Sequence, residues 1–260
     1  MGNLISVYKV QFLMALKQLK EYKIDFYMGL VTNIIVSLSY VLFYLVFDNL
    51  SGGILDWEYY DFILFFFMSF FTSLLLRFFW VRSMVILLNN GNLNMVLSKP
   101  VNTFFFVIIK DLRGSIIFFT FFLGLITILL SITNTSYSNY ILAYSIALIG
   151  FLIQAIFLNV IFSMAFLTKG LVKYLFSIYY HNLNTAVETY TPKFFEETNL
   201  KYLAYMFPVS FIDYFFIEIL KGNTTEVLLY LPYFLLFGII CLMILILQWH
   251  YGLKKYEAFG

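Results

Sequence analysis

The residues able to carry chemistry are few in this sequence, and they lie far apart. The two histidines, His181 and His250, are distant from each other, and neither has a second ligand at metal-binding spacing. No Ser/His/Asp set can be assembled around either histidine, so we predict neither a catalytic site nor a metal site. His181 is instead interpreted as a polar wall residue of a helix. The single cysteine, Cys241, excludes an intrachain disulfide.

Two short motifs are similar to those of enzymes, but each stands alone. The acidic pair Glu196 and Glu197, followed by Lys201, is similar to the first motif of CAAX-type intramembrane proteases, which also need later histidine-containing motifs. The tetrapeptide LSGG at Leu50–Gly53 matches the signature of ABC-type ATPases, yet the chain has no Gly-x-x-x-x-Gly-Lys-Ser/Thr phosphate loop. We therefore interpret the tetrapeptide as a glycine turn and the chain as non-catalytic.

The composition is that of a membrane protein. Hydrophobic residues make up 62% of the chain and charged residues 12%, whereas a soluble domain has roughly 45–50% and about 25%. The net charge of +2 is too small to suggest a nucleic-acid partner. We expect an all-α integral membrane protein whose main partner is the lipid bilayer, folded as a single transmembrane domain over residues 1–260.

Apolar runs of about 20 residues are long enough to cross the bilayer as helices. An amphipathic segment at 1–22 precedes them, and we predict an interfacial helix there. A further apolar stretch before the last run contains Pro208, Asp213 and Glu218, which favours an outer re-entrant hairpin over a seventh span. The predicted spans are 24–47, 62–88, 112–132, 140–168, 171–189 and 227–249, and the re-entrant region is 190–222.

The positive charges indicate the orientation. With six spans and a cytosolic N-terminus, every lysine and arginine except Lys193, Lys201 and Lys221 lies on the cytosolic side. We therefore predict a multi-pass protein of the bacterial cytoplasmic membrane with both termini in the cytosol. Arg77 lies in the inner half of the second run, where it either reaches the inner headgroups or takes part in a transport path.

Polar residues inside the predicted spans are the remaining candidates for a binding site. Their default use is hydrogen bonding between helices, and the alternative is the lining of a substrate path. The spans contain few charges, which argues against an ion pump or a proton-coupled carrier. The candidates for the path are Asn33, Ser37, Gln154, Asn159 and His181.

The segment NNGNLNMVLSKPVN, at 89–102, predicts a short helix on the cytosolic side. Gly91 provides a bend and Asn92 is a candidate N-cap. Lys99 suits the C-terminal end of the helix dipole, and Pro100 ends the helix. Its apolar face would consist of Leu93, Val96 and Leu97. Such a helix is either a docking element for a cytosolic partner or a plain capped connector.

Along its whole length the chain resembles the ABC-2 type export permeases, in particular a subgroup of short permeases with six helices. The most specific element is Gly91-x-Leu93-x-x-x-Leu97-x-x-Pro100, in which Asn94 replaces the acidic residue that often follows the leucine of the family. Supporting elements are Leu19-x-x-Tyr22-x-x-Asp25-Phe26, Gly53 with Trp57, and Gly252-Leu253-x-x-Tyr256-x-x-x-Gly260.

The resemblance implies a permease subunit of an ABC exporter that moves an amphipathic peptide, drug or lipid-like substrate. It implies a cytosolic coupling helix at Asn92–Ser98 that docks on a separate ATPase subunit, which holds the ATP and Mg. It also implies a second permease subunit, either the same chain or an unlike one. Two alternatives stay open: a membrane enzyme, protease-like or lipid-modifying, that depends on Glu196 and Glu197, and a non-transporting immunity or sensor protein.

Overall fold

The computed structural model shows an arrangement of helices. It describes separate helical residues between 9 and 46 and the ranges 57, 59–76, 78–79, 82–99, 102–110, 114–132, 137–168, 192 and 201–256. Within this part of the chain every regular element is a helix, and no strand occurs. The helical class expected from the composition is therefore confirmed for the described residues.

The described residues from 57 to 132 contain five helices. The predicted run 62–88 contains two of them, α1 (Tyr59–Leu76) and α2 (Arg82–Asn89), separated by a turn at Phe78 and Phe79. In this turn the N–H groups of Phe78 and Phe79 donate to the carbonyls of Leu75 and Leu76. The others are the single turn α3 (Asn94–Leu97), then α4 (Thr103–Lys110) and α5 (Gly114–Ile132).

The two longest helices among the described residues lie in the second half. Helix α6 (Tyr137–Ser163) continues into a 3-10 turn at Met164–Phe166, and α10 (Thr225–Lys255) has 31 residues. Between them lie the short helices α7 (Lys201–Met206), α8 (Pro208–Ile212) and α9 (Tyr214–Leu220). The predicted fifth span, 171–189, falls outside the described residues.

Among the residues that the structure describes, two helices are long and apolar enough to cross a membrane, Ser138–Phe166 and Thr225–Lys255. Two shorter apolar helices, Tyr60–Leu76 and Ile117–Ile132, overlap the predicted runs 62–88 and 112–132. In the longer pair, large apolar side chains such as Leu148, Leu236 and Leu247 remain exposed. These outward faces are what a surrounding hydrocarbon phase accommodates.

Helix α6 lies at the centre and packs against α8, α9 and α10. Small residues allow these close approaches. A Cβ atom on Gly150 would lie 3.0 Å from the Cβ of Phe211, and one on Gly238 would lie 2.7 Å from Cγ1 of Ile153. The two glycines therefore set how closely α8 and α10 approach α6.

The short helices α8 and α9 lie in the interior. The residues from Pro208 to Ile217 are all buried, and Pro208 occupies the first turn of α8, where its missing N–H costs nothing. The Ser210 hydroxyl donates to the carbonyl of Ala204, at 2.6 Å, where the chain leaves α7. A broken helical path of this kind is stable in an apolar protein only when its polar backbone groups are satisfied in this way.

A polar cluster joins the end of α9 to the start of α1. Trp57 Nε1 donates to Glu218 Oε1 at 2.7 Å, and Asn223 Nδ2 donates to Glu218 Oε2 at 2.8 Å. Lys221 Nζ lies 3.2 Å from Asp61 Oδ2. The Trp57 ring also stacks on Tyr214, with 5.9 Å between the ring centroids. Two segments that are distant in sequence are thereby held together.

Candidate functional site

The segment between α2 and α4 begins at a well-formed helix end. Gly91 has a φ of 68°, the left-handed conformation that glycine adopts without strain. Its N–H donates to the carbonyl of Leu88 at 3.2 Å, and the N–H of Asn92 donates to the carbonyl of Leu87 at 2.9 Å. This pair of bonds is a Schellman motif, so the bend expected at Gly91 ends α2 and fixes the direction of the chain beyond it.

The caps of the short helices differ from the expected ones. The N-cap position of α3 is Leu93, not Asn92, and the backbone carbonyl of Asn92 accepts the N–H of Met95 at 3.2 Å. A capping side chain is found instead at Asn102, whose Oδ1 accepts the N–H of Phe104 at 3.0 Å, at the start of α4. The signal for that cap was an Asn just before an apolar run.

The apolar side chains of α3 divide between two environments. Leu93 and Val96 are buried, at 0% and 3% exposure, in the main core, which also contains Val107 of α4. Leu97 is 40% exposed and Met95 is 61% exposed. The predicted apolar face of Leu93, Val96 and Leu97 is therefore divided: the first two side chains are buried, and Leu97 is exposed. A single helical turn that packs against the core buries only the side chains on one of its sides. Here these are Leu93 and Val96, and the side chains on the other side are exposed.

Both flanks of α3 are attached to the body of the chain. The Ser83 hydroxyl of α2 donates to the carbonyl of Val107 in α4 at 3.1 Å. The Lys99 ammonium group lies over the Phe106 ring, 4.3 Å from its centroid, a cation–π contact that holds the end of α3 on α4. Pro100 lies outside the described residues. We call α2, α3 and α4 together the elbow. Met95 and Leu97 are exposed on α3, and we call this exposed side of α3 the corner.

Of the residues predicted to line a substrate path, the structure describes Gln154 and Asn159. Gln154 and Asn159 are both buried on α6, whereas Asn33, Ser37 and His181 lie outside the described residues. Asn159 Nδ2 donates to the carbonyl of Phe79 at 2.7 Å, in the turn between α1 and α2. This bond satisfies a backbone group left open where the helix breaks, so Asn159 has a structural use.

A comparison with protein families settles the class of the molecule. The model described as ABC-2 family transporter protein matches residues 33–260. This chain belongs to the ABC-2 transporter family. It is the membrane component of such a transporter, as the resemblance carried by residues 91–100 indicated. Searches among curated proteins and among solved structures found no match.

Family membership bears on the chemistry of the chain. Membrane subunits of ABC-2 transporters are typically non-catalytic, and no cofactor is expected on this chain. The part that the structure describes contains no group of three or more His, Cys, Asp or Glu residues that could hold a metal ion. The acidic pair Glu196 and Glu197 lies outside that part. The family implies an ATPase as partner.

Proposed function

We propose that this chain is the permease subunit of an ABC exporter and that the elbow receives the movement of a separate ATPase subunit. The observation that carries the proposal is the corner at α3, where Met95 and Leu97 are exposed while Leu93 and Val96 are buried beneath them. Single exposed apolar side chains are ordinary. Here, however, two of them lie on a single helical turn whose other apolar side chains are buried in the core. The helices on either side of this turn, α2 and α4, are hydrogen-bonded to each other.

The corner has the chemistry of a small docking site. Around Met95 and Leu97 lie the exposed polar residues Asn92, Asn94 and Ser98. Methionine is enriched in protein interfaces, and a few apolar anchors surrounded by polar residues are typical of them. The division of α3 thus assigns contact with the ATPase to Met95 and Leu97, and transmission into the chain to Leu93 and Val96.

We propose the membrane arrangement that the sequence predicts. It comprises six spans, both termini in the cytosol of a bacterial cell and a re-entrant element at 190–222 that closes the outer end of the path. A second permease, of the same or an unlike chain, completes the path for an amphipathic peptide, drug or lipid-like substrate. The buried, internally hydrogen-bonded helices α8 and α9 support the re-entrant element, because irregular backbone needs cover within a membrane.

The transport step is a switch between two arrangements of the permease pair. ATP favours the outward arrangement only if the closed ATPase pair binds that arrangement better than the inward one. The elbow provides the contact through which this difference in affinity acts. ATP hydrolysis then restores the inward arrangement.

The proposal is tested by purifying the tagged chain from its native host in mild detergent and identifying the proteins bound to it by mass spectrometry. We expect a stoichiometric ATPase. Met95→Asp and Leu97→Asp should reduce the amount of bound ATPase while the chain still inserts in the membrane. Asn90→Asp is the matched control, because it adds the same charge at an exposed position after α2, outside the set of residues around Met95 and Leu97. A chain that purifies alone in several mild detergents contradicts the proposal.

A further inference from the structure

Trp249, near the inner end of α10, contacts two other parts of the chain. Its ring meets the Phe104 ring of α4 edge to face, with 4.8 Å between centroids and an interplanar angle of 90°. It meets Phe166, in the 3-10 turn after α6, at 5.6 Å and 86°. Trp249 is thus the place where the elbow, α6 and α10 come together.

Phe104 is part of the elbow, on helix α4. It lies in the first turn of α4, which Asn102 caps, and α4 is bonded to α2 through Ser83 and Val107. A displacement of the corner at α3 therefore displaces the Phe104 ring with it. Because protein interiors are close-packed, the ring cannot move without displacing Trp249 or losing contact with it.

Helices α6 and α10 form one unit beyond this point. The Ser163 hydroxyl donates to Gln248 Oε1 at 2.5 Å, next to Trp249. Further along, Gly238 of α10 allows the close approach of Ile153 of α6. Helix α10 has 31 residues and is about 46 Å long at 1.5 Å per residue. The pair therefore reaches from the elbow to the opposite end of the molecule.

At that opposite end α10 contacts the short helices. The Tyr230 ring stacks on Tyr205 of α7, with 5.0 Å between centroids and an angle of 7°. The Phe234 ring stacks on Phe211 of α8, with 3.8 Å between centroids and an angle of 4°. The same helix thus has aromatic contacts with the elbow at its inner end and with α7 and α8 at its outer end.

We propose that α6 and α10 together form a lever that carries the movement of the elbow to α7 and α8, and that Trp249 is the positioning residue at its inner end. The inference rests on the proposed function, because it presumes that an ATPase moves the elbow. It adds the path along which the movement passes within the chain, which runs through the last helix, α10.

The experiment uses the complex purified with its ATPase and places a reporter on α7. Tyr202 is exposed on that helix, so Tyr202→Cys in a Cys241→Ala background can be labelled with a maleimide dye. The labelling rate is measured with and without a non-hydrolysable ATP analogue and Mg. Coupling between sites is typically worth roughly fivefold or more, so we expect at least about a fivefold nucleotide effect, and less than about twofold in Trp249→Leu.

Three variants locate the effect. Phe104→Leu should cause the same loss as Trp249→Leu, and the double variant should lose no more than either, because each of them removes the contact between the Phe104 and Trp249 rings. Leu247→Ala, at an exposed position two residues from Trp249, is the control and should respond like the unmodified chain.

The outcomes separate the lever from the function on which it rests. The lever is overturned if Trp249→Leu binds the ATPase and keeps the full nucleotide effect, or if nucleotide changes no labelling even in the unmodified complex. If Trp249→Leu no longer binds the ATPase, the variants Phe104→Leu and Trp249→Phe are measured instead. The lever is supported if Phe104→Leu loses the nucleotide effect on labelling and Trp249→Phe keeps part of it. The lever is overturned if Phe104→Leu keeps the full nucleotide effect. If no ATPase binds the unmodified chain, the proposed function falls, and the lever falls with it.

Discussion

Gly252 lies against Phe166 near the C-terminal end of α10, and there are two opposite expectations for its replacement by alanine. In an ordinary helix, Gly→Ala is stabilising by about 1 kcal/mol, because alanine loses less backbone entropy on folding. At position 252, however, an added Cβ would lie 2.5 Å from Cδ2 and 2.7 Å from Cβ of Phe166. Carbon atoms in contact are normally about 3.5–4.0 Å apart, so the helix or the ring must move by about 1 Å.

We therefore expect Gly252→Ala to be destabilising. Overpacking of this kind costs about 1–3 kcal/mol. Over most of that range the cost exceeds the gain of about 1 kcal/mol in helix propensity. The assay is thermal unfolding of the purified chain in detergent, where each kcal/mol corresponds to roughly 2–4 °C in Tm for a chain of this size. Because Phe166 also contacts Trp249, the displacement should weaken the nucleotide effect on α7 as well.

A second variant identifies the cause. Phe166→Ala removes the ring that meets the new methyl group, so Gly252→Ala should cost less in that background than in the natural chain. A raised Tm for Gly252→Ala alone would refute the reasoning, since helix propensity would then outweigh the contact. Equal costs in the two backgrounds would show that another neighbour is responsible.

Three further changes test other parts of the structure. Leu93→Ala, at a fully buried position, should cost about 2–5 kcal/mol and lower the Tm, whereas Leu97→Ala should leave the Tm nearly unchanged. Asn102→Ala should cost about 1 kcal/mol through loss of the α4 cap, with Asn102→Asp as the variant that keeps it. Glu218→Ala should lower the Tm by leaving Trp57 without its acceptor, a loss of about 1.5–3 kcal/mol, and an unchanged Tm would show that this bond contributes nothing.

Some local features of the elbow could be predicted because they depend on neighbouring residues. The bend at Gly91 follows from the backbone freedom of glycine, and helix α3 follows from the apolar spacing that begins at Leu93. The sequence predicts a cap at Asn92, ahead of α3, but the side-chain cap is at Asn102, ahead of α4. Both are Asn residues ahead of apolar positions, and only the backbone geometry decides which side chain accepts a hydrogen bond.

The sequence by itself determined the helical class, the apolar lengths of α5, α6 and α10 and the family, because hydropathy and short-range spacing specify these properties. Tertiary structure alone decided that Leu93 and Val96 point inward while Met95 and Leu97 point outward. It also decided that Trp249 meets Phe104 from a helix far away in sequence. Helical periodicity fixes which side chains share a face, whereas the direction of that face depends on which other helices pack against it.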